Sequence, residues 1–295
     1  MNAPGPHKAG YVALAGAPNA GKSTLLNALV HEKLAAVTPK PQTTRRRTLG
    51  ILSRPDCQII LLDTPGALKP KNLLEKEMEK SLRRALDDAD VVLYLVDATK
   101  PRHVPDVERS AARKPTVVAL NKVDRLRKRE DLLPLIADLS RRGPFREFLP
   151  ISALKETNID LLVRTVVALL PEGPPFYPPE SLTQQPERFF VGELIREQIF
   201  LLYREEVPYA TEVLIDDFKE REGRKDYIRA TVIVESPSQK AILIGKDGRG
   251  AKTLGTASRD AIEDLLGRPV FLEIHVKVVP KWRKDPSVIR RLELS

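Results

Sequence analysis

Gly16-Ala17-Pro18-Asn19-Ala20-Gly21-Lys22-Ser23 follows the apolar run Tyr11–Ala15 and precedes the helical pattern Lys22–Val30. Its spacing is G-x-x-x-x-G-K-[ST], and strand, loop and helix come in the order that a phosphate-binding loop requires. Glycines let consecutive backbone N–H groups of Gly16, Asn19, Ala20 and Gly21 converge on phosphate oxygens, and the helix adds its positive end. Lys22 is expected to reach the β- and γ-phosphates and Ser23 to ligate Mg²⁺, with Thr24 beside it in the same site. The motif implies a nucleoside triphosphate and leaves the base open.

Around this loop, the first half of the chain alternates apolar strands with helices. Strands are expected at Tyr11–Ala15, Ile59–Leu62, Val91–Val96, Thr116–Leu120 and Glu147–Ile151. Helical patterns lie at Lys22–Val30, Leu73–Leu86, Leu132–Ser140 and Ile159–Leu170. Continuous apolar strands separated by helices predict an α/β domain whose mostly parallel sheet is covered on both faces. Thr48–Ser53 and Gln58–Leu62 read as an antiparallel edge pair added to that sheet. Leu170–Pro186 carries six prolines and no periodicity, so residues 173–185 read as a linker between a domain over 1–172 and a second over 186–295. The second half reads as a small α+β unit: helix Glu187–Leu202, strands Ala210–Lys219 and Asp226–Glu235, helical pieces Gln239–Ile244 and Ala251–Leu266, and strand Val270–Val278.

Asp63-Thr64-Pro65-Gly66 closes the strand Gln58–Leu62. A carboxylate at the carboxyl end of a sheet strand suits the water shell of Mg²⁺, and Gly66 can offer its N–H to a γ-phosphate. Asn121-Lys122-Val123-Asp124 follows the strand Thr116–Leu120. Guanine presents N1–H and N2–H₂ side by side, which one carboxylate accepts as a bidentate pair. Adenine would leave Asp124 facing an acceptor, so the pattern selects guanine. Lys122 can lay its stem along the base, while Asn121 ties the base loop to the phosphate loop. Ser152-Ala153-Leu154, after the fifth strand, is placed to bring a backbone N–H to the guanine O6.

Between the loop and Asp63 lies Thr38-Pro39-Lys40-Pro41-Gln42-Thr43-Thr44-Arg45-Arg46-Arg47. A threonine here, Thr44 in preference to Thr43, is expected to complete the Mg²⁺ shell with Ser23 and Asp63 when a γ-phosphate is present. Arg45–Arg47 reads as a solvated basic patch or as a nucleic-acid or acidic-protein contact. Lys22, Thr44, Asp63 and Gly66 would carry hydrolysis by charge neutralisation and in-line positioning, without a catalytic base.

The 295 residues are too many for one small core, and 42% hydrophobic with 30% charged residues suits ordinary globular domains. No apolar run is long enough to span a bilayer, and Met1–Gly10 lacks the apolar region of a secretory signal. The lone Cys57 cannot form an internal disulfide, which favours a reducing cytoplasm. The net charge of +9 points toward polyanions, either nucleic acid or an anionic membrane face. It is concentrated in residues 1–180, at +8, and in residues 241–295, at +4, while residues 181–240 carry −3.

The set GAPNAGKS, TPKPQTTR, DTPG, NKVD and SAL resembles the translation-factor class of P-loop GTPases, and its PQTTR form is similar to the Era family of ribosome-associated GTPases. The resemblance extends from Tyr11 to about Leu292 and implies a GTPase domain followed by a KH RNA-binding domain of the type II topology. Ala67 and Leu68 follow DTPG where many small GTPases have a water-orienting glutamine, so intrinsic turnover is expected to be slow.

The resemblance also gives meaning to Ile242-Leu243-Ile244-Gly245-Lys246-Asp247-Gly248-Arg249-Gly250. In a KH fold a G-x-x-G turn lets the backbone of single-stranded RNA pass close to the helix ends. Gly245 and Gly248 would permit that approach, and Lys246, Arg249 and Lys252 would meet phosphates. Ile242, Ile244 and Leu254 read first as core and second as the wall of a base groove. The basic tail, Lys281 and Arg283 included, would extend the footprint, and Trp282 either stacks on a base or seals the last helix. If Era-like, the chain is a monomeric, cytoplasmic GTP/GDP switch that needs Mg²⁺. It would bind near the 3′ end of the small-subunit ribosomal RNA and assist assembly of that subunit, with possible peripheral contact at an anionic membrane. The competing readings are a nonenzymatic RNA chaperone with GTP as a structural ligand, and a membrane-linked signalling GTPase.

Overall fold

The computed structural model describes residues 7–67 and 69–292. It divides into two units, Met1–Ala35 with Thr44–Pro70 and Glu75–Gln184, and Ala36–Thr43 with Lys71–Leu74 and Gln185–Ser295. In the first unit the order is β1 (Lys8–Gly16), α1 (Lys22–Val30), β2 (Thr48–Arg54), β3 (Cys57–Asp63), α2 (Leu73–Asp88), β4 (Val91–Asp97), α3 (Pro105–Ser110), β5 (Thr116–Asn121), α4 (Leu132–Ser140), β6 (Glu147–Pro150) and α5 (Ile159–Leu169). The strands form one sheet in the order β2-β3-β1-β4-β5-β6, parallel except for the antiparallel edge pair β2–β3. The strands are nearly uniform apolar runs because both faces are covered, and Val12, Leu14, Ile60, Tyr94 and Val118 are completely buried. Cys57 is buried in β3, where burial pushes its thiol up and away from reactivity.

The register determines where chemistry can occur. Leu14 pairs with Asp63, Gly16 with Leu95, and Asp97 with Asn121. Gly16, Asp63, Asp97 and Asn121 therefore end at the same carboxyl edge of the sheet, the crevice where open α/β sheets bind ligands.

Helix α3 was not expected from the sequence. Its six residues are too few to show a 3.6-residue period, and Pro105 at its start suggests a turn as readily as a first helical position. The proline-rich segment differs more. Residues 171–184 are not a free linker but a strap on the first unit. Phe176 N–H and Tyr177 N–H donate to Gln58 Oε1 at 2.7 and 3.0 Å, and Gln58 Nε2 donates to Tyr177 O at 2.8 Å. Further along, Ile51 N–H donates to Leu182 O at 2.8 Å and Thr183 Oγ1 to Leu49 O at 2.7 Å, so the strap satisfies the outer edge of β2. Proline lacks the N–H of a regular strand, which is why the segment has no periodicity although it is bound.

The second unit continues with α6 (Glu187–Leu202), β7 (Glu212–Lys219), β8 (Asp226–Val234), α7 (Pro237–Ile244), α8 (Arg249–Leu266), β9 (Val270–Val278) and α9 (Pro286–Arg291). Its sheet runs β7-β8-β9, antiparallel then parallel, and the chain crosses from β8 to β9 through α7 and α8. That α-β-β-α-α-β order is the type II KH arrangement expected from the resemblance. Val191, Ile195, Ile199, Ile228, Val232, Leu243, Leu254 and Ile262 form its core. Trp282 is fully buried and its Nε1–H donates to Ala210 O at 2.8 Å, so it closes the core and does not stack on a base.

Ala36–Thr43 belongs to this second unit. Val37 N–H donates to Glu197 Oε1 at 2.8 Å, and the Lys40 ammonium donates to the carbonyls of Phe200 and Tyr203 at the end of α6. Helix ends leave carbonyls unpaired, and a cation there also meets the negative end of the helix dipole.

Gln58 is 1% exposed and makes four of the bonds that seat the strap or its supporting turn. Gln58→Ala should destabilise the first unit by about 2–3 kcal/mol in denaturant titration, because buried backbone groups lose their partners. It should also speed chymotryptic cleavage after Phe176. Unchanged cleavage would show that the prolines alone hold the strap.

Candidate functional site

The phosphate loop depends on a close crossing. Gly21 has φ +99°, and a Cβ there would lie 2.2 Å from Asn121 Nδ2, so no side chain fits. The Asn121 amide occupies that space. Its Nδ2 donates to Ala20 O at 2.8 Å, and its Oδ1 accepts Lys122 N–H at 2.8 Å and Ala153 N–H at 2.9 Å. One 2%-exposed side chain thus joins the phosphate loop, the Asn121–Asp124 loop and the Ser152–Leu154 loop, the tie expected of it.

Lys122 has φ +68°, an uncommon left-handed conformation for a lysine, and is anchored at both ends. Its ammonium donates to Asn19 O at 2.6 Å and to Asp97 Oδ2 at 2.7 Å. Asp124 is exposed, open to a base edge, and is oriented by Ser152 Oγ, which donates to its Oδ1 at 2.6 Å. Ser152 therefore contributes its hydroxyl. Its own N–H goes to Thr157 O at 3.2 Å and that of Ala153 to Asn121, whereas Leu154 is 62% exposed. The sequence offered no sign of Asp97 or of this hydroxyl, because both act across a strand end on residues far away in the chain.

At the other end of the crevice, Ser23 Oγ donates to Asp63 Oδ2 at 2.8 Å and lies 2.8 Å from Thr44 Oγ1, which is 3.3 Å from the same carboxylate oxygen. Two hydroxyls and a fully buried carboxylate are hard oxygen donors, the set that suits Mg²⁺. Thr43 instead faces Thr38 Oγ1 at 2.6 Å, so Thr44 is the threonine brought to the cluster. Thr24 is half-buried one residue beyond Ser23. The turn after Asp63 is held by Ala67 N–H donating to Gly16 O at 3.1 Å, which keeps Gly66 over the phosphate loop. The Ala67 methyl cannot polarise a water, and Leu68 lies outside the described residues. Arg45 is 2% exposed and Arg47 pairs with Asp88 at 3.1 Å, so the triplet is not a uniformly solvated patch.

The second unit presents the G-x-x-G turn as a tight hairpin. Gly245 has φ +71°, and a Cβ there would sit 2.8 Å from Gly250 N, so the two helix ends approach closer than any side chain allows. The Tyr203 hydroxyl lies 2.9 Å from Leu243 O and 3.1 Å from Gly250 O, bracing both sides of the hairpin. Gly248 has open space around it, and Lys246, Arg249 and Lys252 are exposed. Asp247, a repulsive neighbour for phosphate, is paired with Arg249 at 3.3 Å. Of the three isoleucine and leucine positions, only Leu254 is core, at 1% exposed; Ile244 is half-buried and Ile242 is 51% exposed. Lys281 is exposed, and Arg283, half-buried, pairs with Glu235.

Lys22 carries the clearest titration consequence. It is 6% exposed, and its ammonium donates to Gly16 O at 3.2 Å and Ala17 O at 3.1 Å. Burial lowers its pKa to about 8, with Asp63 pulling the other way. A polyphosphate favours the charged form and raises that pKa, so binding above pH 8 takes up a proton and affinity falls as pH rises. Calorimetry of GDP in buffers of different ionisation heat should find roughly 0.1 proton taken up at pH 7 and roughly 0.7 at pH 8.5. Lys22→Met should abolish the difference; equal uptake at both values in the wild type would show that Lys22 is fully charged before binding.

Comparisons with known proteins agree with this geometry. A family model described as 50S ribosome-binding GTPase matches residues 11–122, and a KH domain model matches residues 206–283. GTPase Era of Lacticaseibacillus paracasei is 43% identical over 290 residues, covering 97% of this chain and 96% of that protein. GTPase Era of Aquifex aeolicus is 41% identical over 294 residues, covering 96% and 98%. Among solved structures, an Aquifex aeolicus Era variant bound to GDP and AlF4⁻ superimposes with a TM-score of 0.92 at 40% identity, over 98% of this chain and 99% of that one. Era in complex with MgGDPNP and nucleotides 1506–1542 of 16S ribosomal RNA gives 0.93 at 40% identity, with the same coverage. Similarity that runs through both units, with a guanine-reading loop in one and a phosphate-approaching hairpin in the other, assigns the chain to the GTPase Era family.

Proposed function

We propose that this GTPase couples guanine-nucleotide state to the binding of a single strand near the 3′ end of the small-subunit ribosomal RNA, and so assists maturation of that subunit. The observation that carries this reading is the braced G-x-x-G hairpin, with exposed Lys246, Arg249 and Lys252 beside the apolar Ile242 and Ile244. Cations for a backbone and an apolar wall for unstacked bases are what single-stranded RNA needs. The complex of a full-length relative with 16S nucleotides supports the choice of small-subunit RNA. The name of the first family model points to the other subunit, but that model covers only residues 11–122 and none of the KH unit.

In the proposed cycle Asp124, steadied by Ser152, accepts the guanine N1–H and N2–H₂. Lys122 lies along the base, and the loop N–H groups with Lys22 hold the phosphates. Ser23, Thr44 and Asp63 would hold Mg²⁺, which supplies neutralisation of charge developing on the transferred phosphoryl group. Gly66 directs its N–H toward the γ-phosphate. With alanine at position 67, the attacking water is oriented by backbone or by a partner, and turnover is slow.

Coupling has a physical route inside the second unit. The Lys40 ammonium holds the Phe200 and Tyr203 carbonyls, and the Tyr203 hydroxyl holds both sides of the RNA hairpin. Lys40 lies four residues before the metal-facing Thr44, so ordering that threonine acts on the same stretch of chain that grips α6. The protein would act as a cytoplasmic monomer. A second reading, peripheral contact with an anionic membrane, is favoured by the charge of +4 over residues 241–295. No described helix is long and apolar enough to cross a membrane.

The test is the affinity for an RNA carrying the counterpart of nucleotides 1506–1542, measured with MgGDPNP and with GDP. About tenfold tighter binding with MgGDPNP is expected. A ratio near one would instead support an RNA chaperone in which GTP is structural. Replacing both Lys246 and Arg249 by alanine should weaken binding in either state and reduce the log–log salt slope by about 1.4. Unchanged RNA affinity in that variant would remove the KH hairpin from the account, and retention on anionic vesicles at physiological salt would favour the membrane reading.

A further inference from the structure

Asp97 ends β4 and belongs to none of the recognised nucleotide motifs, yet its carboxylate is wholly engaged at the base side of the crevice. Oδ1 accepts Thr99 N–H at 2.9 Å and Thr99 Oγ1–H at 2.6 Å, while Oδ2 accepts the Lys122 ammonium at 2.7 Å. The β4–β5 register places Asp97 directly beside Asn121, and Ala98 N–H donates to Asn121 O at 2.9 Å, so the carboxylate is delivered by rigid sheet rather than by loop. Burial disfavours its charge, but the bonds from Lys122 and Thr99 outweigh this and hold it below the usual carboxylate range.

We infer that Asp97 is a positioning residue for guanine-nucleotide binding: it acts through Lys122, locking that side chain across the phosphate loop so that its stem is already placed to receive the base. A lysine has four rotatable bonds, and an untethered one must be ordered at the moment of binding. Lys122 is spared that by two fixed acceptors, Asn19 O on the phosphate loop and Asp97 Oδ2 on the sheet. Asn19 O alone fixes only the distance to the phosphate loop. The second acceptor, on the next strand, fixes the direction in which the stem crosses. The pair is also not an ordinary surface ion pair, because the side chains are 23% and 16% exposed and Thr99 prevents the carboxylate from turning away.

The inference rests on Lys122 lying against the guanine, and the test separates the two ideas. GDP and GTP affinities are measured for the wild type, Asp97→Asn, Lys122→Met and the double variant, with the rate of single-turnover GTP hydrolysis at saturation. Asp97→Asn should weaken both nucleotides by about tenfold with hydrolysis of bound GTP within about twofold of the wild type. In the Lys122→Met background the same change should cost less than about twofold. Asp97→Glu, which restores the charge, should recover part of the loss. The inference is overturned if Asp97→Asn binds GDP like the wild type, or loses the same factor without Lys122, or slows hydrolysis as much as it weakens binding. If Lys122→Met itself leaves GDP affinity unaltered, it is the base-stacking role of Lys122 that fails. Should Asp97→Asn not fold, Thr99→Val reads the same coupling: a loss of about two- to threefold that vanishes in Lys122→Met supports the inference, and an equal loss in both backgrounds overturns it.

Discussion

The site depends on one buried amide. Asn121 sits where three loops cross, and each of its side-chain bonds satisfies a backbone group of a different or adjoining loop: Ala20 O, Lys122 N–H and Ala153 N–H. Buried polar groups without partners are costly, so these loops hold their relative positions while Asn121 is in place. Gly21 is its counterpart, since the space a Cβ would take is the space the amide fills. Bonds within the protein thereby set the spacing between the base loop and the phosphate loop. At the ends of that span stand an exposed carboxylate, Asp124, and a buried ammonium, Lys22.

The KH unit solves a similar problem with fewer polar groups. In its hairpin Gly245 packs directly on the backbone of Gly250, and a tyrosine hydroxyl lies against the carbonyls of both sides. Cations then line the outer face. Because Tyr203 also receives Lys40 through its carbonyl, one residue is shared by the hairpin and by the segment Ala36–Thr43. Within this unit Lys40 and the hairpin thus meet at a helix end, a place where carbonyls need partners in any case.

Much of this was legible in the sequence, and the failures have physical causes. Lys22–Val30, Leu132–Ser140, Glu187–Leu202 and Val270–Val278 occupy the spans that their apolar periods indicate. The phosphate and base loops are local in sequence, so their spacing alone identifies them. What could not be seen depends on contacts between distant residues. The strap over residues 171–184 looks like a linker because proline erases periodicity, although Gln58 and β2 bind it. Trp282 is core because Ala210 supplies a carbonyl in the right place, and Arg283 is paired because Glu235 is its neighbour in space. Asp97 looks like any acid at a strand end until the register sets it beside Asn121.

The central claim is that Asp124, held by Ser152 within the frame built on Asn121, reads the hydrogen-bond donors of guanine. Calorimetry of wild type and Asp124→Asn with GDP and with xanthosine diphosphate tests it most directly, since xanthine replaces the N2 donor with a carbonyl and an asparagine can donate where the aspartate could not. The account predicts that the wild type strongly prefers GDP and that Asp124→Asn reverses the order, binding xanthosine diphosphate more tightly than GDP. A variant that keeps the wild-type preference, or a wild type that binds ADP as tightly as GDP, would contradict it.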